Sequence, residues 1–233
     1  MKRLILKKLV IISQKNEEAR TIEFDDRLTV ITGDNPSGET KNRTGKSLVM
    51  KSIYYSLGAK LKKYTTNWDS LQISTIVTFL YDGIKYELYR DRNSFILRSD
   101  DEVKFFASIS ELKKFYVDFF EFYLKMPIKK DDENSVYAYP GAIFMPFYID
   151  QDKGWSGSWD SFSDVFTGKW KPEILLYHMG VRTREYYDLL DEKVELENEQ
   201  KENKRQLKTY EAVIKKHTEK YKDYLDLNLN TEN

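Results

Sequence analysis

Arg27-Leu28-Thr29-Val30-Ile31-Thr32 alternates like a strand, and it runs on towards Asn42-Arg43-Thr44-Gly45-Lys46-Ser47, after which Leu48 to Leu57 has the spacing of a helix. Strand, polar loop and helix in that order is the setting of a phosphate-binding loop. Glycine lets the backbone approach phosphates, lysine reaches the β and γ oxygens, and a hydroxyl ligates Mg²⁺. The helix adds first-turn amides and the positive end of its dipole. A nucleoside triphosphate is therefore the first ligand to consider.

The loop departs from Gly-x-x-x-x-Gly-Lys-Ser/Thr, because Thr40 stands where the first glycine belongs and Gly33 comes too early. The register Gly33-Asp34-Asn35-Pro36-Ser37-Gly38-Glu39-Thr40 has the spacing, but it places Glu39 against a polyphosphate, and like charges repel. The remaining reading is a strand ending at Thr32, an excursion over 34–41 rich in turn formers, and a working loop at Asn42 to Ser47.

Of the 233 residues, 40% are hydrophobic and 33% charged, which suits one globular domain with a charged appendage. Positive and negative residues balance, 38 against 38, so no global field announces nucleic acid or membrane, and contact with DNA would need a local patch. Cysteine is absent, which excludes disulfides and thiolate metal sites and fits a reducing cytoplasm. No run is long and apolar enough to span a bilayer, so no membrane role is expected.

Leu4 to Ser13 and Ala19 to Phe24 are expected strands around a polar turn, and Leu28 to Thr32 a third. Ile73 to Leu80 and Ile84 to Tyr89 flank Asp82-Gly83, a strong hairpin signal, and Phe95 to Arg98 extends the meander. Helical spacing runs from Ser110 to Lys125 and stops before Pro127. The apolar run Ala142 to Ile149 leads to Asp150 and Gln151. Pro146 argues against a central strand ending in a metal-holding aspartate. A strand leading to an exposed Gln151 instead suits sensing of Mg²⁺ and the γ-phosphate; the plainer alternative is that Trp155, Trp159, Phe162 and Phe166 pack a core around a polar turn.

From Thr183 onward there is neither proline nor glycine. A heptad frame runs through Tyr186, Leu189, Lys193, Leu196, Gln200, Asn203, Leu207, Tyr210, Ile214, His217, Tyr221 and Tyr224, a coiled-coil seam with a polar middle. The expected division is 1–180 for the head part and 181–233 for the start of a helical arm. So polar a helix needs a partner strand.

This order of parts resembles the amino-terminal lobe of an SMC-like head, the chromosome-maintenance and DNA-repair relatives of ABC ATPases. The fold expected is α/β: an ABC-ATPase-like N-terminal lobe with a mixed β-sheet and a phosphate-loop helix, followed by a coiled-coil helix. Ser52-Ile53-Tyr54-Tyr55-Ser56-Leu57-Gly58-Ala59 and Pro146 to Trp155 also resemble SMC-like subunits of bacterial anti-plasmid and anti-phage systems such as Lamassu. The resemblance implies ATP and Mg²⁺ as cofactors. Asn42 and the backbone amides from Arg43 to Leu48 would cradle phosphates around Thr44 and Gly45, Lys46 would neutralise them, Ser47 would bind Mg²⁺, and Gln151 would couple the metal to lobe movement.

Nothing in the chain resembles the Leu-Ser-Gly-Gly signature, the aspartate-glutamate pair that activates water, or the switch histidine. No catalytic residue is therefore assigned. Hydrolysis is expected only with a C-terminal lobe of the same protein and a second head in a homodimer, with double-stranded DNA and accessory subunits as further partners. Lys60, Lys62 and Lys63 are candidate DNA contacts, although lysines after a helix also simply favour its dipole. A rival reading is a structural coiled-coil protein whose phosphate loop has degenerated.

Overall fold

Leu4–Ser13 (β1) and Glu18–Glu23 (β2) pair antiparallel, from Ser13 opposite Glu18 to Lys8 opposite Glu23. The computed structural model describes residues 2–32, 45–61, 71–127, 135–149, 159, 161–165 and 170–229. After Lys46–Ser56 (α1) comes a meander of Ile73–Tyr81 (β3), Ile84–Asp91 (β4), Ser94–Arg98 (β5) and Val103–Phe106 (β6). The sheet order is β2-β1-β3-β4-β5-β6, and every neighbouring pair is antiparallel. Asp82 and Gly83 both take positive φ, as the tight turn closing β3 onto β4 requires.

Because side chains alternate across a sheet, the register decides which residues meet. Leu9, Val77, Leu88 and Leu97 stand opposite one another across four strands, all buried. Each contributes about 1.5 to 3 kcal/mol through burial. On the same face Thr75 stands opposite Arg90, Arg90 opposite Phe95 and Phe95 opposite Phe106, and towards the other end of β3 lie Phe79 and Tyr81.

Ile109–Phe119 (α2) covers the Tyr81 end of that face, with the Phe119 ring 4.8 Å from Tyr81 and 5.1 Å from Tyr86. Its start is fixed by Ser108, whose Oγ accepts from the Glu111 amide at 3.3 Å, while Glu111 Oε2 accepts from the Ala107 amide at 2.9 Å. Ser108→Ala is expected to lower unfolding free energy by about 1 kcal/mol, read from the denaturant midpoint.

Two expectations are corrected here. The helix expected from Ser110 to Lys125 ends at Phe119, with Glu121 at φ +54. Phe122, Leu124 and Met126 are buried, a spacing of two that extended chain satisfies and a helix does not. Lys125–Pro127 (β7) accordingly pairs with Ser135–Tyr137 (β8). The strand expected at Leu28 to Thr32 forms no ladder among the described residues, and Leu28 and Val30 are 75% and 70% exposed. The Arg27 amide donates to Asp25 Oδ1 and the Asp25 amide to Thr29 Oγ1, so the segment begins in a turn. No described strand lies beside it to take its backbone groups.

Beyond β8 come Pro140–Phe144 (α3), a 3-10 turn at Met145–Phe147 and Trp170–His178 (α4). The strand expected to lead to Gln151 is corrected as well: the run is helical to Phe147, with Pro140 and Pro146 at early helical positions, and only Tyr148 and Ile149 continue it without a helix. Pro140 opens α3 with its φ already set. Residues Met1–Val181 form one compact unit and Arg182–Asn233 a second. The second holds Arg184–Leu229 (α5), a helix of 46 residues with exposed (i, i+4) pairs such as Arg184 with Asp188 at 3.5 Å and Lys193 with Glu197 at 3.6 Å. Leu189, Leu196, Leu207, Tyr210 and Ile214 of the heptad frame are exposed along it. Among the described residues, no helix is long and apolar enough to cross a membrane.

Candidate nucleotide site

Gly45 precedes α1 with φ 78 and ψ 1, a left-handed backbone that side chains disfavour. Its carbonyl accepts the Val49 amide at 3.1 Å and so starts the helix. Gly45 has no side chain to cap that end, and no acid occupies the first turn. Lys46 and Ser47 are half-buried and line one cavity of about 390 Å³ together with Thr29, Ile31, Tyr148 and Ile149. Among the described residues no ion pair holds the Lys46 ammonium. A lysine and a serine line it at the positive end of a helix, the residue types that an anion with a bound divalent cation requires.

A larger hollow of about 760 Å³ lies beside it, lined chiefly by apolar side chains such as Leu4, Leu6, Ile53 and Phe144. Size alone favours it, but its two cations are engaged, Lys2 with Glu121 at 2.8 Å and Arg3 with the Asp26 carbonyl at 3.3 Å, and Asp25 and Asp26 line it as well, which repels a polyphosphate. The smaller cavity fits the chemistry.

The far end of α1 is held tightly. Gly58 N–H donates to the Tyr55 carbonyl at 2.9 Å and Ala59 N–H to the Tyr54 carbonyl at 3.0 Å, closing the helix in a Schellman turn. Arg90, 7% exposed, donates through Nη1 to the carbonyls of Tyr55 and Ala59, and through Nε to that of Arg92 at 2.8 Å. Its guanidinium lies 3.6 Å from the Tyr55 ring centroid. Burial lowers the Arg90 pKa, against the attraction of Tyr55 and Asp164.

Gly45, Lys46, Ser47 and Leu48 thus lie together at the start of α1, with Leu48 partly turned to solvent. Asn42, Arg43 and Thr44 lie outside the described residues, as do Gln151, Lys62 and Lys63. Lys60 is exposed just after the Schellman turn. The buried face of α1 carries Lys51, Ser52 and Ser56 beside Ile53 and Tyr55, while Leu48 and Met50 are partly exposed. The serines satisfy themselves by back-bonding, Ser52 Oγ to the Leu48 carbonyl at 2.7 Å and Ser56 Oγ to that of Ser52 at 2.6 Å.

Sequence reasoning missed Arg90 and Asp164. For Arg90 a signal existed: it shares the inward phase of β4 with Tyr86 and Leu88, where a charge must have buried partners. Asp164 belongs to no regular element and gave none.

An antiparallel sheet under a helix that opens with lysine and serine, in a chain that goes on into a long helix, is the architecture of an ATPase amino-terminal lobe. A family model described as "AAA domain" matches residues 3–227, and the chain belongs to that family as an SMC-like ATPase N-terminal region. It is similar to the Lamassu protein LmuB of Bacillus cereus (strain VD014), 29% identical over 202 residues that cover 84% of this chain and 34% of the relative. It is also similar to the Lamassu protein LmuB of Bacillus sp. (strain NCIM 5461 / CCTCC AB 2011126 / NIO-1130), 32% identical over 148 residues, 63% of this chain and 24% of the relative. The chain therefore spans about a third or less of the length of these relatives.

Proposed function

We propose that this chain is the ATP-binding part of an SMC-like ATPase in a Lamassu-type bacterial defence system, coupling ATP-driven head dimerisation to the binding or sensing of double-stranded DNA. The observation that carries the reading is the shared cavity of Lys46 and Ser47 at the start of α1. There the Lys46 ammonium would neutralise β and γ oxygens, and the first-turn amides would donate to the phosphates. Ser47 lines the same cavity, and its hydroxyl would be a Mg²⁺ ligand, with Gln151 as a second candidate. Mg²⁺ would supply charge neutralisation at the β and γ phosphates.

The two LmuB relatives support the defence setting, and the exposed heptad seam of α5 supports a coiled-coil partner, with accessory subunits completing the assembly. Exposed apolar residues beside the cavity, Phe147 at 72% and Ile149 at 75%, support a further lobe of the same protein closing over it. Titrating ATP and Mg²⁺ into the full-length protein, with Lys46→Ala beside the wild type, tests the reading. Binding that does not depend on Lys46 leaves the degenerate-loop alternative standing.

Lys60, Lys62 and Lys63 give a separate expectation. If they contact DNA phosphates, replacing all three with alanine lowers the slope of log affinity against log salt by about 2 to 3. An unchanged slope removes them from the interface.

A further inference from the structure

We infer that Asp164 is a positioning residue of the nucleotide cavity, tying the exit of the phosphate-loop helix to a second chain segment that lines the same cavity. The inference rests on the nucleotide reading above. Asp164 Oδ2 accepts two backbone amides from separate parts of the chain, Lys60 at 3.2 Å and Gly141 at 3.4 Å. Lys60 follows the Schellman turn of α1, and Gly141 lies in the first turn of α3, whose continuation reaches Tyr148 and Ile149 on the cavity wall.

Neighbours of Asp164 repeat the connection. The Ser163 amide donates to the Lys60 carbonyl at 2.8 Å, Phe162 bridges to Leu61, and Ser161 Oγ donates to the Tyr148 carbonyl at 3.0 Å. The Phe162 ring lies 5.6 Å from Tyr54 of α1 and 5.5 Å from Tyr148. One five-residue stretch, 161–165, thus grips both the exit of the helix bearing Lys46 and Ser47 and the segment that lines the cavity with them.

The fit at Gly141 shows how close the tie is. A Cβ there would stand 2.2 Å from Asp164 Oδ1 and 3.0 Å from Phe162 Cβ, so any side chain displaces the carboxylate or the helix. Oδ1 is buried and accepts no hydrogen bond from the described residues. Burial pushes the Asp164 carboxyl up to about 6, against the pull of the backbone amides of Lys60, Asp164 and Gly141 and of the Arg90 guanidinium. Arg90 from β4 is the charged group facing it; α3 brings no titratable side chain, and the Lys60 side chain is exposed. An ionised carboxylate accepts amide hydrogen bonds more strongly than a neutral one, so the two bonds to Lys60 and Gly141 strengthen as pH rises through 6, although burial of the charge costs the fold more than they return.

The test measures Mg²⁺-ATP affinity of the full-length protein between pH 5 and 7.5 for wild type, Asp164→Ala, Asp164→Asn and Lys46→Ala. At pH 7.5 Asp164→Ala is expected to bind about tenfold more weakly than wild type, the effect of losing one hydrogen bond to a charged group. Asp164→Asn, which keeps an acceptor and its shape but not the charge, should match wild type near pH 5 and fall about threefold behind it at pH 7.5, between neutral and charge-assisted acceptors. Ionisation of ATP itself is common to both proteins and cancels in their ratio. Unchanged affinity in both Asp164 variants, with binding still dependent on Lys46, overturns the inference even if melting temperatures fall. Asp164→Asn decides the matter alone if Asp164→Ala does not fold, since a wild-type to Asn ratio constant over pH also overturns it. Binding that survives Lys46→Ala defeats the nucleotide reading itself, and the inference with it.

Discussion

Replacing Lys46 with alanine is expected to weaken Mg²⁺-ATP binding by the full-length protein by about a hundredfold, the loss of two charge-assisted contacts at roughly 1.4 kcal/mol each. The size follows from the surroundings of the side chain. Lys46 lines the cavity half-buried, no ion pair among the described residues competes for its ammonium, and no acid stands in the first turn of α1. A lysine held in a surface pair would lose little on replacement, because such pairs are screened. Fold is not at stake in this variant, as the core of α1 lies on its other faces, at Ile53 and Tyr55. Isothermal titration calorimetry checks the result. An affinity within threefold of wild type, with an unchanged melting temperature, sinks the assignment of this cavity to phosphate.

Most of the sheet was legible because its signals are local. Asp82-Gly83 specifies a turn that sets the register from Tyr81 opposite Ile84 back to Ser74 opposite Asp91. Gly45, Lys46 and Ser47 stand out in the sequence for a similar reason, since phosphate binding needs those types in that order, and they lie together at the start of α1. Legibility failed where the deciding partner is distant in sequence or lies outside the described chain. Leu28 to Thr32 has strand alternation, but no described neighbour completes a ladder. The end of α2 was misplaced because aromatic residues at 119, 120, 122 and 123 satisfy helical and extended spacing alike until tertiary burial selects between them. Asp164 acts through backbone amides more than 20 residues away in sequence, at Gly141 and Lys60, and amides leave no trace in residue types.

Arg90→Ala is expected to cost about 3 to 5 kcal/mol of unfolding free energy, well above an exposed charge, because it strips a buried cation from buried partners. The carbonyls of Tyr55, Ala59 and Arg92 lose the guanidinium as a donor, that of Tyr55 keeping the Gly58 amide, and the Tyr55 and Phe95 rings lose the guanidinium lying 3.6 and 5.0 Å away. Part of the cost must depend on pH. Asp164 has a raised folded-state pKa, so the stability it contributes is full below 3.8 and is lost as pH rises through about 6, at about 1.4 kcal/mol for each pH interval between the two values. Arg90 opposes that loss by favouring the ionised carboxylate. Without it the folded-state pKa of Asp164 rises further, and the window of lost stability extends to higher pH. The deficit of Arg90→Ala relative to wild type should therefore be larger at pH 8 than at pH 5, and Asp164→Asn in the same background should abolish the difference. Denaturant unfolding at the two pH values measures it. An equal deficit at both would mean that Arg90 holds the end of α1 by packing and carbonyl capping alone, with no electrostatic link to Asp164.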